Sequence, residues 1–288
     1  MRTMYFIGVA TGLSAIHAIF PRWAKLAGIG DAWLKGVDLP LGSPPEAYCE
    51  AVRQVRDDPD CWGALVTSHK TALYESACGL FSHFDDAAQT LGEVSCIVRR
   101  DGFLTGLATD TLTVGLALRD ILAGEPFHGE VLIMGAGGAG VALSVHLRRC
   151  HKPARVILTD VSPGRIVVAS EIAPAECMLV DAPEDHDRLI GELPPGALIV
   201  NATGTGKDRP GCPVTLSARI PAGSIAWDFN YHGDLNFLSI ARALGARAVD
   251  GWDYFLHGWS QIMSRVFDFD LTPELFDAMR REAESGRA

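Results

Sequence analysis

The sequence predicts an α/β protein of two domains, the second built on a doubly wound parallel sheet. Three observations carry that expectation. A chain of 288 residues is longer than one ordinary core sustains and suits two of roughly 100–150 residues. Apolar runs of four to eight residues alternate with longer stretches of helical period, the pattern of βαβ units on a largely parallel sheet. One such run, "VLIMG", also leads through a glycine-rich turn straight into a helical stretch, "AGGAGVALSVHLRR".

Taken in order, strands are expected at 4–10 (MYFIGVA), 32–39 (AWLKGVDL), 61–67 (CWGALVT) and 94–100 (VSCIVRR). Helices fall between them at 15–26, at 45–56 behind Ser43 as N-cap and a Pro44-Pro45 start, and at 71–81. Residues 110–122 (DTLTVGLALRDIL) read as a helix joining the two domains, with Asp110 at its start, where a carboxylate caps free N–H groups. A second series then places strands at 131–135, 155–160, 177–181, 197–203 and 224–229, with helices at 139–149, 163–171 and 184–193. Two helical patterns close the chain, 252–267 and 272–285, and there are no repeats, low-complexity tracts or Gly/Ser linkers.

Composition narrows the function classes. Hydrophobic residues make up 48% and charged ones 21%, the balance of a globular protein. A formal charge of −10 with no basic run repels a nucleic-acid backbone, so no nucleic-acid partner is expected. The seven cysteines are widely spaced and form no C-x-x-C pair, which reads as reduced thiols rather than a metal clip or a disulfide framework. No secretory leader and no run of 18 apolar residues is seen, so a cytoplasmic protein without a membrane partner is expected.

The glycine-rich turn is the first chemical signal. Gly135 permits the tight turn, Gly137 lets backbone approach a pyrophosphate, and Gly138, Ala139 and Gly140 open a helix whose free N–H groups face the phosphates. The next strand ends about 25 residues on in Asp160, where a carboxylate accepts hydrogen bonds from ribose hydroxyls and repels a 2′-phosphate. This pattern predicts a Rossmann-type domain with NAD as cofactor. Arg165, two residues past Pro163, is placed to meet a phosphate from the side, which keeps NADP as the alternative.

The second signal is Lys70 in "GALVTSHKTALYE", at the C-terminal end of a first-domain strand, where ligand crevices of α/β sheets open. Asp110, in "GLATD", is its natural partner. A lysine held by an aspartate exchanges a proton with a substrate hydroxyl while hydride leaves the same carbon, which is alcohol-to-ketone chemistry.

These motifs, in this order with "NATGTG" from Asn201 and "DFNY" with Tyr231, resemble the shikimate/quinate dehydrogenase family over nearly the full chain. The resemblance implies a catalytic pair, Lys70 and Asp110. It also implies a turn of Asn201, Thr203 and Gly204 near the nicotinamide, and an active-site tyrosine, Tyr231. It implies a substrate-binding domain at 1–109 joined by the returning helices at 252–288, and a dinucleotide-binding domain at 110–251.

The departures fall on the substrate side. The family's Ser-x-Ser-Pro reads "SAIH", keeping Ser14 but placing Ile16 and His17 where the second serine and proline stand. Its Asn-Val-Thr-x-Pro-His-Lys reads "LVTSHK", one residue short, with Thr67 shifted. Its Gly-Ala-Val-Asn-Thr reads "GEVSC", with Ser95 in place of the asparagine, and its late glutamine aligns near Gly258, among His257, Trp259 and Gln261. The expectation is therefore an NAD(P)-dependent dehydrogenase of a small polyhydroxylated acid or ring, acting as monomer or homodimer, with altered specificity. The alternatives are a genuine quinate or shikimate dehydrogenase, a non-catalytic ligand sensor, which would have no need of a proton-transfer pair, and, more distantly, a methylene-folate-type dehydrogenase.

Overall fold

The computed structural model describes residues 2–207 and 209–285. By contacts these divide into two units, 1–109 with 258–288 and 110–257.

The first unit opens with β1 (Arg2–Gly8), α1 (Ile16–Leu26), β2 (Ala32–Asp38), α2 (Pro45–Asp57), β3 (Cys61–Val66) and α3 (Lys70–Ala77). It continues through β4 (His83–Phe84), α4 (Asp86–Leu91), β5 (Cys96–Arg100) and β6 (Phe103–Leu107). The strands form one sheet in the order β2-β1-β3-β5-β6-β4. The sheet is mixed rather than largely parallel: β1 pairs in parallel with β2 and β3, but β5 runs antiparallel to both β3 and β6. The cause is a hairpin the periodicity passed over. Asp101 and Gly102 have φ of 50° and 80°, the left-handed pair of a type I′ turn, and Asp-Gly is the sequence signature of that turn. Tyr5, Ile7, Tyr48, Val52, Leu73, Ile97 and Leu104 pack into the core on one side of this sheet.

Local chemistry moves several boundaries. Helix α2 has Pro44, not Ser43, as its N-cap; the Ser43 hydroxyl instead donates to the Pro40 carbonyl at 2.7 Å. Helix α3 starts at Lys70 and ends at Ala77, then tightens into a short 3₁₀ turn at 78–80.

The second unit runs α5 (Asp110–Ile121), β7 (Glu130–Met134), α6 (Gly138–Cys150), β8 (Arg155–Asp160), α7 (Pro163–Ile172), β9 (Glu176–Leu179) and α8 (Pro183–Glu192). After these come β10 (Leu198–Asn201), β11 (Ile225–Asp228), α9 (Asn236–Ala243), β12 (Arg247–Val249) and the start of α10 (Trp252–Phe267). The sheet order is β12-β11-β10-β7-β8-β9, all parallel. The chain therefore winds outward in both directions from the β7–β10 pair. In such a sheet ligands bind beyond the C-terminal strand ends at that switch point. Both the glycine-rich turn and the turn after Asn201 leave from there.

Helix α10 is shared. Its residues up to His257 belong to the second unit, and from Gly258 it belongs to the first, with α11 (Pro273–Glu284). Trp259 meets Phe6 edge-on at 4.8 Å, and the Trp23 indole N–H donates to the Met279 carbonyl at 2.8 Å, which fixes α11 on α1. Among the described residues no helix is long and apolar enough to cross a membrane.

Candidate active site

The glycine-rich turn joins β7 to α6. Gly135 has φ +110°, and a Cβ there would stand 2.6 Å from the Ala202 carbonyl. A Cβ on Gly140 would lie 2.0 Å from the Gly135 carbonyl oxygen, so α6 rests directly on the strand end. Gly137 is the N-cap of α6, and a Cβ there would meet nothing within 4 Å. The first N–H groups of a helix have no partner within it, so those of Gly138, Ala139 and Gly140 are presented at the positive end of the α6 dipole. Close packing behind the turn and open space in front is what a pyrophosphate requires, and these residues fit a dinucleotide.

Asp160 closes β8 and is 7% exposed. Its Oδ2 accepts from the Ala136 N–H and its Oδ1 from the Ser162 N–H, both at 2.9 Å, so the carboxylate is bound to the glycine turn itself. Arg165, on α7, reaches back to within 3.5 Å of Oδ2. Carboxylate and guanidinium thus stand together at the strand end.

The turn after β10 is a polar knot. The Asn201 amide donates to Asp228 Oδ2 at 3.0 Å and to the Thr205 carbonyl at 3.4 Å, and its carbonyl accepts from the N–H and hydroxyl of Thr203. Thr203 Oγ1 in turn accepts from the Thr205 N–H, and Gly204 has φ +74°. Asn201 was expected as a cofactor-binding residue of that turn, near the nicotinamide. Both ends of that amide are engaged inside the turn, so it shapes the loop instead. Asp228, at the end of β11, escaped sequence reasoning although it opens the "DFNY" motif. Burial, with Asp250 adding to it, pushes its carboxyl up to about 6, against hydrogen bonds from the Asn230 N–H and Asn201.

On the first unit, Lys70 is the first residue of α3, half-buried, and its carbonyl accepts from the Val94 N–H at 3.2 Å. The shortened lead-in is absorbed by Ser68, whose φ of 62° turns the chain sharply. His69 beside it is buried, its ring between the Leu39 carbonyl at 2.8 Å and the Tyr48 hydroxyl at 3.4 Å. Thr67 is half-buried at the strand end, its N–H donating to the Ile7 carbonyl at 2.9 Å.

Ser95 does not face a ligand as expected. It is 1% exposed, and its hydroxyl accepts from the Thr109 N–H at 2.8 Å and pairs with the Thr109 hydroxyl at 2.9 Å. Its place is to pin the residue that precedes Asp110. Asp110 itself is buried at the start of α5.

His257 is a second correction. It is buried against Asp120 in the last turn of α5, Nε2 to Oδ2 2.9 Å, ten residues and about 15 Å of helix from Asp110. It joins α10 to α5 rather than lining the substrate side. Ser14 is half-buried, its oxygen accepting from the Ile16 N–H at 3.4 Å at the head of α1, and Ile16 is fully buried. Tyr231 packs on α10, 4.4 Å from the Phe255 ring and 5.4 Å from that of Trp252, and Gln261 is half-buried further along that helix.

The second unit also carries an acid-sensitive set of histidines. His186 of α8 lies between the Thr159 hydroxyl at 2.9 Å and the Pro213 carbonyl at 2.7 Å, bonds that a neutral ring satisfies at both nitrogens. Burial lowers the pKa of His186, His146 and His151 below the ordinary 6.5. The unfolded chain therefore binds protons first, so stability present above pH 6.5 is lost as pH falls below it. Asp228 works in the opposite sense below about 6, one group against three. Thermal unfolding followed between neutral pH and 5 should show a falling Tm, and Asp228→Asn should steepen the fall.

No protein-family model matches the chain. Curated relatives do. The chain is 30% identical over 248 residues to shikimate dehydrogenase (NADP(+)) of Streptococcus thermophilus, covering 84% of each chain. It is 33% identical over 251 residues to shikimate dehydrogenase (NADP(+)) of Xanthomonas euvesicatoria, covering 84% of this chain and 82% of that one. Among solved structures, shikimate dehydrogenase 1 from Peptoclostridium difficile superposes with a TM-score of 0.79 at 17% identity over 100% of both chains. Quinate dehydrogenase from Corynebacterium glutamicum in complex with NAD gives 0.74 at 22% identity over 99% of both. The structures share the two-unit α/β fold. With curated relatives at 30% identity and above over more than four fifths of its length, the chain belongs to the shikimate dehydrogenase family.

Proposed function

We propose that the protein oxidises a secondary alcohol of a small polyhydroxylated acid or ring to a ketone, that it prefers NAD to NADP, and that shikimate is not its best substrate. Family membership makes it an NAD(P)-dependent oxidoreductase acting on a CH–OH group. The observation that carries the finer reading is an intact cofactor turn and Lys70 alongside a fully buried Ile16 where the family has its second serine. A buried aliphatic side chain cannot donate to a carboxylate, so the grip on an acid substrate falls to the other substrate-side residues of the family pattern, Ser14, Thr67 and Gln261 of the first unit and Tyr231 of the second.

A nicotinamide dinucleotide, when bound, supplies the hydride acceptor. The chain's own part is to hold it and to move one proton. Gly135 to Gly140 would carry its phosphates and Asp160 would take its ribose hydroxyls, while Asn201, Thr203 and Gly204 shape the turn that leaves the sheet at the same end. Lys70 Nζ takes the substrate hydroxyl proton as the carbon–hydrogen bond breaks, and Asp110 holds the resulting ammonium group. The charge of Asp160 disfavours a 2′-phosphate, while Arg165, drawn toward that carboxylate, offsets part of the repulsion.

A second reading, in which shikimate or quinate is the true substrate, is favoured by 30% identity to curated shikimate dehydrogenases. One experiment separates the two. Cyclic and open-chain polyols and hydroxy acids, shikimate and quinate included, are assayed with NAD and with NADP by the absorbance of the reduced cofactor. The expected result is a kcat/KM highest for another polyol, larger with NAD, and a NAD/NADP ratio that narrows in Asp160→Ser. Shikimate or quinate ranking first would establish the second reading, and equal use of both cofactors by the parent protein would overturn the assignment to Asp160.

A further inference from the structure

We propose that Glu93 is a positioning residue for Lys70, a carboxylate that holds the lysine side chain at the head of α3. The inference rests on the reading of Lys70 as the proton-transfer group. Glu93 is 1% exposed, in the interior of the first unit. Its backbone is fixed on both sides: it follows Gly92, the left-handed residue that ends α4, and precedes Val94, whose N–H donates to the Lys70 carbonyl. The acid is thus one residue from the segment bonded to the lysine's own backbone.

A carboxylate taken out of water costs several kcal/mol unless a cation or a set of donors compensates it. Arg265 of α10 acts on the Cys96 thiol and Asp110 is the carboxylate assigned to Lys70; other charged and titratable groups of the surrounding elements are engaged as follows. Asp85, before α4, accepts from the N–H groups of Ala88 and Ala108. His69 is held by the Leu39 carbonyl and the Tyr48 hydroxyl. Burial pushes the Cys96 thiol on β5 up to about 12, so it is neutral. Glu75 on α3 is exposed. Arg99 and Arg100 lie at the far end of β5, about 20 Å along the strand, bonded to carbonyls of Arg56, Cys61 and Trp62. Lys70, whose backbone carbonyl is bonded to the residue after Glu93, is a cation of the same unit tied to Glu93's own segment.

A second carboxylate, beside Asp110, also suits the lysine. As the first residue of α3, Lys70 places a cation in the first turn, at the positive end of the helix dipole, an unfavourable position for positive charge. In the Gly-Ala-Val-Asn-Thr pattern of the resemblance this position is alanine, and here "GEVSC" puts an acid there. The same chain shortens the lead-in to the lysine at Ser68. A carboxylate behind the lysine steadies it against both effects.

The test is the pH dependence of kcat/KM for alcohol oxidation in the full-length protein and in Glu93→Gln, Glu93→Ala and Lys70→Ala, using the best substrate of the panel. Oxidation needs the neutral amine, so kcat/KM rises with pH as Lys70 loses its proton. Removing a neighbouring negative charge eases that loss. The midpoint of the rise should therefore move down by about one pH unit in Glu93→Gln, with NAD binding unchanged. Glu93→Ala, which restores a small residue, should show the same displacement and serves if the glutamine variant does not fold. A midpoint that stays within about 0.3 unit, with only Tm or KM altered, would overturn the proposal in favour of a structural or substrate-contacting Glu93. Should Lys70→Ala retain the parent's activity, the reading of Lys70 itself fails; should it be inactive while the Glu93 midpoint is unmoved, only the present inference does.

Discussion

Lys70→Ala is expected to lower kcat by about 10² to 10⁴ while leaving NAD binding nearly intact, since a positioned general acid/base supplies that much of the rate. The converted barrier is roughly 3–5 kcal/mol. The two effects separate because Lys70 belongs to the first unit, whereas the glycine turn and Asp160 belong to the second. Folding should be little affected, since Lys70 is half-buried at a helix start and its backbone bond to Val94 does not depend on the side chain. Asp110→Asn should also lower kcat, because the amide keeps the shape of the carboxylate and loses its charge. If the two residues act as a unit, the double variant will be far less than multiplicatively worse. Turnover kinetics and NAD titration by intrinsic fluorescence decide the matter. A Lys70→Ala protein within about threefold of the parent would return the residue to the status of a solvated charge.

Gly140→Ala should be among the most damaging single-methyl changes in the second unit. The added Cβ would lie 2.0 Å from the Gly135 carbonyl oxygen and 3.4 Å from the Ile133 side chain. The first neighbour is backbone at the end of β7, a strand paired on both sides in the middle of the parallel sheet, and it cannot swing away. Helix α6 must lift off the strand instead, at a cost of about 3 kcal/mol or more, which for a domain of this size is a Tm lower by roughly 6–12 °C. Lifting α6 also moves the N–H groups offered to the phosphates, so NAD affinity should fall with stability. Gly137→Ala is the control. Its φ of −77° suits alanine and its Cβ meets nothing within 4 Å. That variant should keep its Tm yet bind NAD more weakly, because the methyl group stands in the cradle itself. Calorimetry and NAD titration on the two variants distinguish packing behind the turn from space in front of it; equal stability in both would refute the packing argument.

Much of this was legible beforehand. The glycine spacing and the apolar runs of β7, β8, β10 and β11 are local patterns, buried on both faces and so continuous, and they named the dinucleotide unit. Elements in weakly patterned stretches were missed: the two-residue β4, the short α4 and α9, and β12. The β5–β6 hairpin was announced by Asp101-Gly102, a signal that helical and strand periodicity do not register.

By itself the sequence determined the two-domain α/β class, the cofactor turn, and the order of motifs that leads to Lys70 and Asp110, because each is written in residues close together in the chain. Tertiary structure alone decided which polar side chains are available. Ser95 is occupied by Thr109, His257 by Asp120 and Asn201 by Asp228 and Thr203, across 14, 137 and up to 27 residues of sequence. A hydroxyl, an imidazole and an amide look equally ready for a ligand in a string of letters. Burial forces each to find a partner within the fold, and which partner lies within about 3 Å depends on strands and helices that meet only once the chain has packed.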